Sequence, residues 1–527
     1  MTRHAFRAAL LAALVAAPAA AQSPSGATRP RTVAEDLQMF SQVLNQIRVN
    51  HPDTVDTHRM FMAAIQGMVR AVDPHSYVIP ATRLSPEKQR ALEERRFFPV
   101  PIDFDFVGGF PVVVSVAPGS QAARQDILPG DLLVSIDGQP VQAESGMELY
   151  VFLAGPRNST VRLRFERQRV DGSIIELDRV VRRERVAEST AVPAVFMLDP
   201  VTGYIRITTF SNERVAEDLH AALGRLEQQG MQRLVLDLRD NGGGIVDEAS
   251  RIAGEFLPAG STVYVSEGRK AEVHDSAVVR RSFWRREKQY PIVVMTNEGT
   301  ASASELVAGA LQDHDRALIV GRPTFGKSLL MSGFPLSDGS VIMLVIGHIK
   351  TPCGRVVQRQ YREVKAQEYY RLARTARDTV GRPSCRTKGG RTVYGGGGIY
   401  PDVVLPEPEP APLWMARLRE EDVHTRWVAG WLTEAGSQLT TAEALAASPR
   451  LPGNALAQFR AFAAQAGHRV PEGAEADRAL ERMLVEDVAF TKWGEQGLYR
   501  VAAALDQQIQ QAVAQFERAG QILGPVQ

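Results

Sequence analysis

Residues 291–330 constrain the fold more than any other part of the chain, because they contain two successive strand-and-turn units. Residues 291–295 form a short apolar run followed by turn-forming residues, which is typical of a buried parallel strand. A helix is predicted to begin near Ser302, and residues 317–320 predict the next strand. The turn after that strand delivers Lys327. Since the chain has by then returned through the adjoining strand, we expect Lys327 and Ser302 at the same end of one sheet.

Ser302 lies in the first turn of its predicted helix, where unpaired backbone N–H groups and the helix dipole can stabilise a developing oxyanion. The hydroxyl needs a base to become a nucleophile. His314 is about 18 Å further along the same helix and cannot take the proton. Lys327 can take it if burial, to which Phe325 can contribute, lowers the lysine pKa from about 10.4 by roughly 3 to 5 units. Taken singly, such a serine is usually only a helix cap and a lysine is usually solvated.

The two residues and their flanks resemble the active site of the C-terminal processing (tail-specific) peptidases, which are serine proteases with a Ser/Lys dyad. The nucleophile of that family lies in a GxASASE segment, here residues 299–305, and its base lies in a TFGK segment, here residues 324–327. The resemblance implies that Ser302 is the catalytic nucleophile and that Lys327 is the general base. It also implies an acyl-enzyme intermediate and no cofactor or metal ion.

A glycine-rich run further upstream also fits the family. Residues 237–244 match its DLRxNxGG segment. The resemblance implies an oxyanion hole formed by the backbone N–H groups of Gly243 and Ala303. From the residues alone, the glycines can also serve only a tight turn between a strand and a helix.

Met331 departs from the family pattern. Members commonly carry a glutamine there to orient the lysine amine, and a thioether cannot donate a hydrogen bond as an amide can. Lys327 must therefore be held in another way, or activity is reduced. Asp313 stands where the family often has an acid, but it is about 16 Å along the helix from Ser302, and we interpret it as structural.

Residues 1–21 have the pattern of a secretory signal peptide. Arg3 and Arg7 precede an apolar run at residues 8–17, and small residues follow at 19–21. The apolar run is too short to span a bilayer. The pattern predicts an exported protein that is soluble and periplasmic after cleavage, with a buried N-terminal helix as the alternative.

The remaining patterns predict a multidomain α/β fold. A helical region covers residues 22–96, an inserted PDZ-like β domain covers 97–188, and an α/β protease core covers 189–405. A second helical region follows at 406–527. Within the core there is a polar insertion at about 356–393.

Two cysteines flank most of this insertion, Cys353 and Cys385. In an exported protein two cysteines can pair. A disulfide that closes the insertion and a pair of free thiols both remain open.

The PDZ-like region resembles the PDZ domain that these proteases carry. Such a domain binds an extended chain end between a strand edge and a helix. The resemblance implies a carboxylate-binding loop and a groove helix, formed by Gly108, Gly109, Phe110, Leu149 and Phe152. The alternative is a PDZ domain that only packs against the protease body.

An apolar stripe runs along the last part of the chain, through Val501, Leu505, Ile509, Val513 and Phe516. A stripe of this length must be covered by the protein's own domain or by a partner subunit. The stripe suggests dimerisation through the terminal helical regions.

Together these features predict an exported serine endopeptidase that cleaves proteins recognised through accessible C-terminal tails, with an adaptor protein as a further candidate partner. The net charge of +1 gives no reason to expect a nucleic acid partner. Two other functions stay open. One is a catalytically weak or inactive protease-fold scaffold that binds C-terminal peptides through its PDZ domain, and the other is an esterase.

Overall fold

The computed structural model describes most of the chain after residue 30. The described residues are 31–73, 75–79, 98–107, 110–116, 120–125, 127, 131–141, 143, 146–168, 174–184, 190–280, 288–361, 364, 366–375, 378–420 and 423–523. The predicted signal peptide lies outside them. Within these ranges, no helix is both long and apolar enough to cross a membrane. The chain divides into two compact units, Met1–Ala64 and Ile65–Gln527.

Two helices open the described chain, α1 (Val33–Asn50) and α2 (Thr57–Val72). Thr32 caps α1, because its hydroxyl accepts the N–H of Glu35 at 3.3 Å while the Glu35 carboxylate accepts the N–H of Thr32 at 2.7 Å. No residue of α1 is buried.

The turn after α2 is held by Asp73, whose Oδ1 accepts the N–H groups of His75 and Ser76 at 2.8 and 2.7 Å. Strand β1 (Tyr77–Ile79) follows this turn. His75, within this turn, is buried, and its ring contacts the rings of Tyr361 and Tyr369.

The PDZ-like region is an antiparallel sheet with one helix packed on it. Its elements are β2 (Ile102–Val107), β3 (Phe110–Val116), β4 (Leu132–Ile136), β5 (Gln139–Pro140), α3 (Gly146–Leu153), β6 (Thr160–Gln168) and β7 (Ile174–Arg182). The strand order is β2-β3-β4-β6-β7, with β5 paired to β4. Val113, Leu163 and Phe165 form the centre of its core.

Within its described residues, the predicted protease core contains two sheets and, before the polar insertion, three long helices. Its elements, up to the polar insertion, are β8 (Ala194–Asp199), β9 (Thr202–Arg206), α4 (Val215–Gln228), β10 (Arg233–Asp237), α5 (Val246–Phe256), β11 (Thr262–Gly268), β12 (Asp275–Val278), β13 (Ile292–Thr296), α6 (Ala303–Asp313), β14 (Leu318–Gly321), β15 (Leu329–Pro335) and β16 (Val341–Lys350). The strands predicted at 291–295 and 317–320 are β13 and β14. They are parallel neighbours, which confirms that part of the sequence analysis.

The insertion and the end of the core add α7 (Ala366–Thr375), β17 (Ser384–Arg386), β18 (Thr392–Tyr394) and β19 (Val403–Val404). Cys353 and Cys385 form a disulfide with Cα atoms 6.3 Å apart, inside the usual range. Of the two open alternatives, the structure therefore contains the disulfide.

The central sheet has the order β19-β14-β13-β10-β9-β8 and is parallel except for the β8–β9 pair. Successive side chains along β10 point to opposite faces of the central sheet, and both faces are buried. Leu234 and Leu236 belong to the core formed with α4, α5 and α6, whereas Val235 faces the opposite core. A second sheet has the order β1-β16-β11-β12, and β15 pairs with β16.

The described residues of the C-terminal region contain seven α-helices. They are α8 (Leu413–Glu420), α9 (Val423–Ala435), α10 (Ala442–Ala447), α11 (Ala455–Gln465), α12 (Ala474–Leu505), α13 (Gln507–Val513) and α14 (Phe516–Leu523).

The apolar stripe predicted near the C-terminus does not lie along one helix. Asp506 follows α12 and caps α13, accepting the N–H of Gln508 at 2.8 Å. Val501 is buried in a core of the C-terminal helices, whereas Ile509 and Phe516 are buried against the central sheet. Because the same chain covers these residues, the stripe gives no reason to expect a partner subunit.

Candidate active site

Ser302 stands between β13 and α6 in a backbone conformation that is rare for serine. Its φ is 55° and its ψ is −118°, and it is the N-cap residue of α6. A non-glycine residue with positive φ costs on the order of 1–3 kcal/mol and persists only where its surroundings impose it. Such residues concentrate at functional sites. The side chain is half-buried.

Lys327 lies in the loop that joins β14 to β15, and it too is half-buried. The preceding Gly326 has a φ of 94°, and a β-carbon there would lie 2.9 Å from the backbone nitrogen of Gly398. Only glycine fits this position without strain. The loop thus passes close to the glycine-rich segment near the end of the core.

Glu305 connects the serine and the lysine. Its Oε2 accepts the backbone N–H of Ser302 at 2.9 Å and the backbone N–H of Lys327 at 2.8 Å. Its Oε1 accepts the N–H of Gly326 at 2.8 Å and the hydroxyl of Thr324 at 2.5 Å. One carboxylate oxygen therefore brings the backbones of Ser302 and Lys327 together at the same end of the sheet, as the sequence predicts.

The Glu305 side chain is completely buried. Burial raises the pKa of its carboxyl to about 7, although the hydroxyl of Thr324 and three backbone N–H groups favour the charged form. All four partners are donors, so the ionised carboxylate is the form that can satisfy them. Burial therefore favours the neutral carboxyl and the four donors favour the ionised one, and burial has the larger effect on the pKa.

Gly243 lies directly against the serine. A β-carbon on Gly243 would come within 2.9 Å of the Ser302 Cβ and 2.8 Å of the Ala303 backbone nitrogen. The N–H of Gly243 donates to Oδ1 of Asn241 at 3.0 Å. Ala303 is the first residue of α6, where backbone N–H groups have no acceptor within the helix. The structure thus brings the two predicted oxyanion residues together, with the Gly243 N–H engaged.

The strand that leads to Gly243 ends in a buried ionic network. Asp237 accepts hydrogen bonds from Arg206 at 3.1 Å and from Arg239 at 2.7 Å. Burial by itself raises the pKa of Asp237, but the two arginines outweigh it and hold that pKa well below its usual range. Arg239 also contacts the C-terminal region, with Asp506 at 2.8 Å and the side-chain oxygen of Gln508 at 3.0 Å.

Three other residues singled out in the sequence have structural contacts. His314 lies with Nε2 2.7 Å from the carbonyl oxygen of Thr262, at the far end of α6. Asp313 forms a buried ion pair with Arg355 and accepts the N–H of Cys353 at 2.9 Å. Met331 is half-buried in β15, next to a register shift in its pairing with β16.

The residues assigned to the PDZ groove are only partly described. Gly108 and Gly109 lie outside the described residues, and Phe110 begins β3, paired with Val107. Leu149 is buried in the core of the domain, whereas the Phe152 side chain on the same helix is exposed. Of these two helix residues, Phe152 is thus the one accessible to a ligand.

The chain matches two family models. Residues 201–367 match peptidase family S41, and residues 112–167 match a PDZ domain. The chain is thus similar to an S41 peptidase that also contains a PDZ domain. Within the described residues, no group of three or more His, Cys, Asp or Glu side chains is arranged to hold a metal ion.

Several curated C-terminal processing peptidases are similar in sequence. Carboxyl-terminal-processing peptidase 2, chloroplastic, of Arabidopsis thaliana is 36% identical over 251 residues, which are 46% of this chain and 46% of the relative. The carboxy-terminal-processing protease of Bartonella bacilliformis is 29% identical over 62% of this chain and 73% of its own length. The chain thus spans about half the length of the first relative. A solved photosystem II D1 C-terminal processing protease covers 71% of this chain and 88% of its own, with a TM-score of 0.48 and 24% identity.

Sequence reasoning missed two residues that hold the candidate site together. Glu305 had a signal, because it stands three residues after Ser302, the spacing of a capping box. The sequence contained no signal for Gln358, because this residue lies in an insertion without a recognisable pattern. In the structure its Oε1 accepts the N–H of Ser328 at 2.9 Å.

Proposed function

We propose that this protein is a serine endopeptidase in which Lys327 is the general base for Ser302. The observation that carries the proposal is the shared acceptor, since Oε2 of Glu305 bonds to the backbone N–H of both residues. Two chain segments that are distant in sequence are thereby fixed side by side. The strained backbone of Ser302 at the start of α6 supports the same assignment.

The reaction follows from these positions. The neutral Lys327 amine takes the proton from the Ser302 hydroxyl as its oxygen attacks the scissile carbonyl carbon. The resulting ammonium then donates that proton to the leaving amine, which leaves an ester on Ser302. Lys327 next removes a proton from water as the water oxygen attacks the ester carbonyl carbon. The Lys327 ammonium then donates that proton to the departing Ser302 oxygen, which releases the carboxyl product and regenerates the serine and the neutral amine.

Ala303 is the first candidate to stabilise the oxyanion, because its N–H lies at the helix start beside Ser302. Gly243 is close enough to contribute, but its N–H donates to Asn241. We infer that Gly243 joins the oxyanion hole only when this contact lengthens.

We propose that the substrates are proteins with accessible C-terminal tails and that the PDZ domain presents them. The match to a PDZ domain and the C-terminal processing activity for which the relatives are named support this assignment. The apolar run at residues 8–17 supports export to the periplasm. An adaptor protein remains a candidate partner that no described contact supports.

Cleavage of an unfolded model protein tests the proposal. We expect wild type to cleave it, and Ser302→Ala and Lys327→Ala to have no activity. Ser276→Ala and Lys270→Ala change an exposed serine and an exposed lysine elsewhere in the core and should cleave like wild type. Absence of cleavage by wild type, with C-terminal peptides still bound, would favour a scaffold. Turnover of small esters without proteolysis would favour an esterase.

A further inference from the structure

The loop that carries Lys327 is held from a second side by the polar insertion. The N–H of Ser328 donates to Oε1 of Gln358 at 2.9 Å, and the N–H of Arg359 donates to the carbonyl oxygen of Gly326 at 2.9 Å. Nε of Arg359 also donates to the carbonyl oxygen of Phe325 at 3.1 Å. The residues on both sides of Lys327 are therefore fixed by two consecutive residues of the insertion.

Tyr369, on α7 of the insertion, holds Gln358 in turn. The amide nitrogen of Gln358 donates to the Tyr369 hydroxyl at 3.1 Å and to the carbonyl oxygen of Arg359 at 3.0 Å. The amide orientation is determined by its partners, because the Ser328 N–H can only donate. Gln358 and Tyr369 are both buried, so each of these bonds is protected from water.

The Tyr369 ring makes further contacts on both of its sides. It packs edge-on against Phe325, with ring centroids 5.9 Å apart, and against His75 at 5.5 Å. Val112, in β3 of the PDZ domain, packs in the same buried cluster. The Tyr369 ring thus packs between the PDZ domain and Phe325, which lies two positions before Lys327.

We propose that Gln358 and Tyr369 are positioning residues that hold Lys327 in place for proton transfer. The proposal rests on the proposed function, in which Lys327 is the base. It accounts for Met331, which stands where the family has a glutamine that orients the amine. In this chain the insertion supplies a glutamine that acts on the backbone of the lysine loop instead.

The expected effects follow from the bonds that each substitution removes. Gln358→Ala leaves the buried N–H of Ser328 without its acceptor, and Tyr369→Phe removes one hydroxyl while the ring stays. A lost hydrogen bond is worth about 0.5–1.5 kcal/mol, and a buried unsatisfied group about 1–3 kcal/mol. We expect the lost stabilisation to reduce the fraction of molecules in which Lys327 is correctly placed. The value of kcat should then fall about tenfold or more in Gln358→Ala and severalfold in Tyr369→Phe, while KM changes less than about twofold.

Two matched variants serve as controls. Tyr290→Phe likewise removes a hydrogen-bonded hydroxyl, which here donates to Oε1 of Glu227 at 3.1 Å, but Tyr290 lies before β13. Val380→Ala changes an exposed side chain of the same insertion. Neither should change kcat, although Tyr290→Phe should lower the melting temperature by an amount similar to that in Tyr369→Phe.

The deciding measurement is the pH profile of kcat/KM for peptide hydrolysis by the full-length protein. We expect the midpoint of the ascending limb to shift along the pH axis in Gln358→Ala and Tyr369→Phe and to remain unchanged in both controls. A purely structural role would lower the melting temperature without moving the profile. Profiles that superimpose on wild type, or a fall in kcat no larger than in Tyr290→Phe, would overturn the proposal.

A readout that does not depend on proteolysis separates this inference from the proposed function. Reductive ¹³C-methylation of the lysines gives an NMR signal for Lys327, which Lys327→Arg identifies by its loss. The titration of that signal should shift in both positioning variants and not in the controls. If wild type cleaves no protein, the proposed function fails, and an unchanged Lys327 titration in the variants would overturn the positioning role as well.

Discussion

The backbone N–H of Lys327 donates to Oε2 of Glu305 at 2.8 Å, and Glu305 lies on the helix that Ser302 begins. The same oxygen accepts the N–H of Ser302. A carboxylate without a proposed chemical step of its own thus determines how the proposed nucleophile and the proposed base are arranged. The alignment depends on a single buried carboxyl group.

Glu305→Ala should reduce activity more than it reduces stability. It removes the acceptor of four donors around the Ser302 and Lys327 loops, two of them buried and two partly buried, and hydrogen bonds to charged groups are worth about 1.5–3 kcal/mol each. We expect kcat per folded molecule to fall at least about a hundredfold. The control is Glu248→Ala. Glu248 is also a buried glutamate, and it accepts the N–H of Ala216 at 2.8 Å rather than a group of the Ser302 or Lys327 loop. Equal kcat losses in the two variants would contradict the alignment role.

Glu305 should also make stability depend on pH. Its pKa rises from 4.5 to about 7 on folding, so the folded state binds the proton more tightly than the unfolded state. The stabilisation is fully present below about pH 4.5 and is lost as the pH rises through about 7. We expect this loss to be on the order of 3 kcal/mol. Urea unfolding from pH 4.5 to 8 should show that the free energy of unfolding declines in wild type and declines less in Glu305→Gln. Parallel dependences on pH in the two proteins would refute the role of Glu305.

Gly243→Ala should inactivate the protein through a steric clash. The new β-carbon would lie 2.7 Å from the Ala301 carbonyl oxygen and 2.9 Å from the Ser302 Cβ, and φ is 95°. Gly230→Ala has a nearly identical φ of 92° but nothing within 4 Å, so it isolates the backbone cost of about 1 kcal/mol. Initial rates of protein cleavage should fall to background in Gly243→Ala and stay near wild type in Gly230→Ala. Activity retained in Gly243→Ala would show that the serine turn can move aside.

Asp506→Asn should destabilise the protein by uncoupling the C-terminal region from the core. Asparagine can still cap α13, but the charge that pairs with Arg239 at 2.8 Å is lost. Since Arg239 is buried, we expect a loss of about 1–3 kcal/mol in the free energy of unfolding. Asp477→Asn removes the charge of a more exposed ion pair with Arg460 and should cost less than about 1 kcal/mol. Chemical denaturation measures both, and equal values would contradict the coupling.

Local patterns in the sequence predicted the elements around the site. The apolar runs at 291–295 and 317–320 became adjacent parallel strands, and the spacing of strand, helix and strand returned the chain to the serine's end of the sheet. Glu305 was visible only as a helix-capping residue, because its second bond, to Lys327, joins segments that sequence reasoning treats separately.

Contacts between distant segments could not be predicted. The apolar residues near the C-terminus were correctly recognised as needing cover, but periodicity does not say which surface supplies it. Ile509 and Phe516 are covered by the central sheet, so the reasoning that led to a dimer does not apply. The bond from Gly243 to Asn241 was missed for a related reason, since a motif identifies a loop but not which of its N–H groups are already engaged.

The most direct test of the central claim is the rate at which a fluorophosphonate phosphonylates the protein, followed by intact mass spectrometry and peptide mapping. We expect one adduct, on Ser302, formed with loss of fluoride. Its rate should fall at least about a hundredfold in Lys327→Ala and be unchanged in Lys270→Ala. An adduct on another residue, or equal rates in the two lysine variants, would contradict a Ser302 nucleophile activated by Lys327.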